Sequence, residues 1–110
     1  MAYLFTIICE YKGGTYTKQL SAESPVQSFE QWAAIFKSED VLTASEKKKF
    51  CKEVEYALTE GNIVALEGLQ NVWYEGFSLD DELLEVIVVG MSGEAIPVVN
   101  VKPMVHIHAI

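Results

Sequence analysis

Two stretches of strand-forming residues, Tyr3 to Lys12 and Thr15 to Glu23, meet at Gly13-Gly14. No other feature of the chain restricts its possible folds as much. Adjacent glycines reach the positive φ values of a two-residue hairpin without steric cost, and the Tyr, Thr, Ile and Phe around them suit a pleated surface. With Lys12 facing Thr15, the register sets Tyr11 opposite Tyr16, Cys9 opposite Lys18, Ile7 opposite Leu20 and Phe5 opposite Ala22 on one face. The other face then pairs Glu10 with Thr17, Ile8 with Gln19 and Thr6 with Ser21. A slip by one residue would mix these sets, so the first face is assigned to the core.

A helix follows directly. Ser24 is an N-cap residue, Pro25 fits the first helical position, and Gln27 stands where a capping box places it. Val26, Phe29, Trp32, Ala33 and Phe36 recur at helical spacing, which predicts a helix lying across the apolar face of the hairpin. After a connection from Ser38 to Leu42, Thr43 and Glu46 form a second capping box, opening a helix to about Glu60 before Gly61-Asn62. Its apolar side is Phe50, Cys51, Val54, Ala57 and Leu58.

Beyond Asn62 the chain turns to short β-prone runs: Ile63 to Leu66, Asn71 to Phe77, Leu83 to Val89, and Ile96 to Ile107. Ser78 to Glu82 reads as a hairpin loop and Met91 to Glu94 as a turn. The uninterrupted apolar run Val86 to Val89 predicts a central strand covered on both faces. Pro97 and Pro103 belong at edges or breaks, because neither can donate to a ladder. The fold class is therefore α+β, in one domain over residues 1–110. A mostly antiparallel sheet carries two helices on one face, in the order β-β-α-α-β-β-β, with a possible eighth element at the C-terminus.

Composition narrows the function classes. Sixteen acids face eight cations, a formal net charge of -8, and every cation is lysine. Without arginine's planar fork and without a positive field, nucleic-acid binding is disfavoured. No run is long enough to span a bilayer, and Tyr3 to Cys9 lacks the basic flank and cleavage site of a signal peptide. Two cysteines, Cys9 and Cys51, are too few to staple the chain and read as reduced core residues, which places the protein in the cytoplasm.

Each candidate for chemistry competes with a plainer role. In a strand, His106 and His108 project to the same side and could share a metal ion, but a site needs further ligands and two histidines in a strand need none. Cys51 lies among Lys47, Lys48, Lys49 and Lys52, which could activate a thiol. Its spacing to Val54 and Leu58 favours packing, and the lysines interleave with Glu46, Glu53 and Glu55 as helix-surface pairs. Asp80, Asp81 and Glu82 lack the spacing of a calcium loop and suit a solvated turn. No cofactor is implied.

Aromatic residues are concentrated at Trp32 and in Trp73, Tyr74 and Phe77. Alternation puts Trp73, Glu75 and Phe77 on one face and Val72 and Tyr74 on the other, so both faces of that strand carry large apolar groups. A partner covering one of them, with a homodimer through the sheet as the economical case, follows from that excess together with Val99, Val101, Val105 and Ile107.

Tyr3-Leu4-Phe5, Tyr11 through Tyr16 with Gln19, Ala22-Glu23-Ser24-Pro25, Trp32 and Asn71-Val72-Trp73 together resemble a group of small uncharacterised bacterial proteins. These share a Gly-Gly-Thr-Tyr hairpin and an Asn-Val-Trp strand. The resemblance covers about a third of the chain and implies a bacterial cytosolic protein with no particular activity. The expected function is a non-enzymatic interaction module. One version is an immunity-type or inhibitor protein whose Trp73, Tyr74, Phe77, Asp80, Asp81, Glu82 and Glu85 meet a basic partner. The alternatives are a small enzyme or metal-binding protein with a pocket near His106 and His108, and a structural subunit assembling through its sheet.

Overall fold

The structure is a computed structural model that describes residues 2–60 and 63–98. Its elements are β1 (Tyr3–Tyr11), β2 (Gly14–Ala22), α1 (Pro25–Ser38), α2 (Ala44–Glu60), β3 (Val64–Ala65), β4 (Val72–Leu79) and β5 (Glu82–Gly90). The strands form one sheet in the order β2-β1-β5-β4-β3, with every pairing antiparallel. Both helices lie on one face, so the predicted α+β architecture and element order are observed. β5 occupies the middle of the sheet, as predicted, but the expected cover on both of its faces is not observed among the described residues: Leu84, Val86 and Val88 are buried under the helices, whereas Ile87 and Val89 on the other face are only half-buried.

The opening hairpin differs from its predicted register. Tyr11 pairs with Gly14, Cys9 with Tyr16, Ile7 with Lys18 and Phe5 with Leu20. The turn is Lys12-Gly13, with φ of 50° and 78°, rather than Gly13-Gly14. The shift is two residues along the partner strand, an even number, so the faces survive it. Phe5, Ile7, Cys9 and Tyr11 still share a side with Tyr16, Lys18, Leu20 and Ala22. Gly14 is freed from the turn for another use: a Cβ there would meet the Tyr16 hydroxyl at 2.6 Å, so its bareness lets that ring lie along the strand.

Helix α1 starts as its sequence dictates, with the Ser24 hydroxyl accepting from the Gln27 N–H at 3.1 Å. The Gln27 amide oxygen accepts from the Glu23 N–H at 2.7 Å. In α2 the capping box closes reciprocally: Thr43 Oγ1 accepts from the Glu46 N–H at 3.1 Å, and Glu46 Oε1 accepts from the Thr43 N–H at 2.8 Å. Phe29, Trp32 and Phe36 of α1 meet Phe50 of α2 and Phe77 of β4 in one aromatic cluster. The Trp32 and Phe36 rings stack at 4.9 Å, a contact that adds to area burial.

Cys51 is exposed, contrary to its predicted place in the core. Phe50, Val54 and Ala57 define the buried stripe of α2, and Cys51 lies one residue round from it. The ion pairs of α2 also differ from expectation, because among the described residues they tie the helix to the hairpin turns instead of joining its own side chains. Lys49 pairs with Asp80 in the β4–β5 turn, and Lys12 in the β1–β2 turn pairs with Glu46. That second hairpin is tighter than predicted: Ser78 and Leu79 continue β4, leaving Asp80-Asp81 as the turn.

Candidate functional site

The sheet has two unlike faces, and the predicted site residues divide between them. Trp73 and Phe77 point under the helices and are 5% and 3% exposed. They are core residues and offer nothing to a partner. Tyr74, between them in sequence, projects from the opposite face, where its hydroxyl donates to Glu85 Oε2 at 2.8 Å. Asp80 is engaged by Lys49, while Asp81 and Glu82 are exposed at the end of the sheet. His106 and His108 lie outside the described residues.

The face away from the helices is organised in rows by the strand register. One row runs Thr17, Ile8, Ile87, Tyr74, Val64, and the next runs Gln19, Thr6, Val89, Val72. Beyond these, Leu4 lies beside Met91, whose N–H donates to the Leu4 carbonyl at 2.8 Å. Apolar side chains thus spread from β1 across β5 and β4 to β3. Leu4, Val64, Leu83 and Met91 are exposed at the margins, while Ile8, Ile87, Val72 and Val89 are half-buried. No element among the described residues covers this face.

Two groups with displaced proton affinities lie on the helix side. Glu46 is 6% exposed. Its Oε2 receives the Tyr11 hydroxyl at 2.5 Å and pairs with Lys12 Nζ at 2.6 Å. Lys12, the Thr43 N–H and Tyr11 together hold the Glu46 carboxyl down to about 2. Burial and the same carboxylate push the Tyr11 phenol well above its ordinary value, so it remains a donor. The cluster fastens the first turn of α2 to the end of β1 and the following turn. All the polar groups of this cluster are bonded to one another, which marks it as a structural clamp.

Glu75 is different. It sits on the helix face of β4 between Trp73 and Phe77. Its Oε1 accepts the Gly76 N–H at 2.9 Å, while Oε2 is buried without a hydrogen-bond partner. Burial raises this carboxyl to about 7, with a smaller push from Glu53 on α2. Such a proton affinity suits acid–base work, but catalysis also requires a second group within reach. No hydrogen bond among the described residues joins Glu75 to a nucleophile, imidazole or cation. Burial likewise pushes the Cys9 thiol up to about 12, so it stays neutral in the core.

A groove of about 420 Å³ runs between the outer sides of α1 and α2, floored by Ala33, Phe50, Val54 and Leu58. Glu30, Lys37, Glu55 and Cys51 stand around it without hydrogen bonds to one another among the described residues. Nor do the described residues contain any group of three His, Cys, Asp or Glu side chains placed to hold a metal ion. No described helix is long and apolar enough to cross a membrane.

Asn71 is a structural residue that sequence reasoning placed only in a strand. At φ 62° it turns the chain into β4. Its side-chain amide donates to the Glu94 carbonyl at 2.8 Å and accepts from the Ile96 N–H at 2.8 Å. The segment after β5 is thereby held against the sheet, and Ile96 is buried beside Gly90. The Asn preceding Val72 and Trp73 carried the signal, since asparagine tolerates the left-handed region better than most residues. Compared with protein-family models, curated proteins and solved structures, the chain matches none.

Proposed function

We propose that the protein is an interaction module that binds another protein chain through the open face of its sheet. The supporting observation is the continuous apolar surface from Leu4 and Ile8 through Ile87 and Val89 to Val72, Tyr74 and Val64, on the side without helices. Antiparallel sheets commonly leave one face to water, and such faces alternate to Thr, Ser, Gln and charge. β2 obeys that rule with Thr15, Thr17, Gln19 and Ser21. Strands β1, β5 and β4 break it in adjacent rows, producing a patch of the kind that marks interaction sites.

A photo-crosslinking amino acid at position 87, compared with one at position 55 on the outer side of α2, tests this reading in cells that make the protein. Adducts to a protein, a second copy of this chain included, are expected from position 87 and not from position 55. Absence of adducts at position 87, or equal yields at both positions, refutes it.

A further inference from the structure

Resting on that reading, the open face also carries a feature that defines the chemistry of its partner. Glu10 of β1 and Glu85 of β5 are direct cross-strand neighbours. Both project from the open face, beside the row that contains Ile8, Ile87 and Tyr74. Like charges placed opposite one another in an antiparallel pair are destabilising. A purely solvated face would more simply carry one acid and one lysine here, or two neutral residues.

The surroundings hold the two carboxylates without neutralising them. Thr15 is the register partner of Glu10 on β2, and its hydroxyl lies 2.8 and 3.0 Å from the two Glu10 carboxylate oxygens. On the other side, Glu85 faces Gly76 of β4. A Cβ at Gly76 would meet the Tyr74 hydroxyl at 2.7 Å. The glycine therefore lets the Tyr74 ring lie along the strand, and its hydroxyl reaches Glu85. A row of Thr15, Glu10, Glu85 and Tyr74 hydroxyl results, with neutral donors at both ends and two anions at its centre.

No cation answers them among the described residues. Lys18 projects from the helix side of β2 and pairs with Glu39, and Lys12 turns towards Glu46. The other described lysines, at positions 37, 47, 48, 49 and 52, belong to α1 and α2. The open face is thus an apolar surface bordered on one side by paired and held negative charge that no cation among the described residues compensates. Two copies of the chain meeting through this face would each bring such a pair in addition to a net charge of -8.

We infer that the open face binds a basic amphipathic segment of a different protein. Its apolar side chains would lie over Ile8, Ile87, Val89 and Val72, with a lysine or arginine between Glu10 and Glu85. A guanidinium is the better match, because it can donate to two carboxylates at once. Partial exclusion of water by the neighbouring apolar rows strengthens that contact relative to one in open solvent.

A displayed library of random peptides selected on the full chain tests the inference without presuming the partner's conformation. Enriched peptides are expected to contain Arg or Lys flanked by apolar residues. They should lose on the order of tenfold in affinity when Glu10→Gln and Glu85→Gln are combined. The charge-matched pair Glu30→Gln with Glu55→Gln, on the helices, should change affinity by less than about twofold. Equal loss in both double variants would reduce the effect to bulk charge and overturn the inference. Enriched apolar peptides that lack a cation, but lose binding on Ile87→Ser, would overturn it while leaving the interaction reading intact. So would a homodimer that Ile87→Ser dissociates in sedimentation. Failure to enrich any peptide would count against both.

Discussion

Replacing Glu75 with glutamine should make the protein more stable at alkaline pH and remove most of its pH dependence between pH 5 and 8. The carboxyl is raised from 4.5 to about 7 because burial between Trp73 and Phe77 penalises its charged form. In the unfolded chain it ionises near 4.5. Between those values the native state holds the extra proton, so the contribution of Glu75 to stability is fully present below about pH 4.5 and declines as pH rises to about 7. A displacement of that size corresponds to about 3 kcal/mol, and partial access to solvent reduces the expectation to about 2 kcal/mol. Glutamine retains an acceptor for the Gly76 N–H and carries no charge. Urea denaturation at a series of pH values measures the effect. The wild-type midpoint should fall by about 1 M between pH 5 and pH 8, while Glu75→Gln should stay nearly level. Glu30→Gln, an exposed control on α1, should follow the wild type. Parallel curves for Glu75→Gln and wild type over this interval would show that the Glu75 carboxyl is not the source of the pH dependence. Below pH 4.5 both proteins should weaken together, since Glu46, held down to about 2, loses its bonds to Tyr11, Lys12 and Thr43 as it is protonated.

The clamp at the start of α2 gives a second expectation. Tyr11→Phe removes a buried hydrogen bond to a carboxylate and should cost about 1.5 to 3 kcal/mol in urea denaturation, with the low end favoured because Lys12 and Thr43 still hold Glu46. The plug formed by Ile96 gives a third. A Cβ at Gly90 would meet Ile96 Cδ1 at 2.4 Å, so Gly90→Ala should cost about 1 to 3 kcal/mol. Adding Ile96→Val, which deletes that methyl, should recover part of the loss in a double-mutant cycle; strict additivity would show that the two residues are not in contact.

Much of the architecture is legible in local patterns. Ser24-Pro25 and Thr43 with Glu46 mark both helix starts, because capping depends on groups within three residues of each other. The period of two along β1 and β2 identifies the core face even though the predicted turn is one residue late. An even shift preserves that period, whereas the local pattern does not distinguish Lys12-Gly13 from Gly13-Gly14 as the turn. The excess of apolar residues on both sides of the Asn71 to Phe77 run is likewise visible in sequence.

Which side of that run remains open is a tertiary property. Trp73 and Phe77 attract attention as a partner surface because they are large, but they are buried on the helix side of the sheet, Phe77 against Phe29 and Phe50 and Trp73 against Phe5, leaving Tyr74 on the other side. Glu10 and Glu85 are far apart in the chain and become neighbours only because β5 pairs with β1 in the middle of the sheet. Glu46 looks like a helix-surface acid until the β1–β2 turn brings Tyr11 and Lys12 to it. The helix caps and the alternation of faces along β1, β2 and β4 are legible in the sequence, since they depend on short-range bonding and periodicity, whereas the side of α2 taken by Cys51 and the exact turn of the first hairpin are not. Only the tertiary structure decided which face is covered and which charges meet, because both follow from strand order, which local chemistry does not encode.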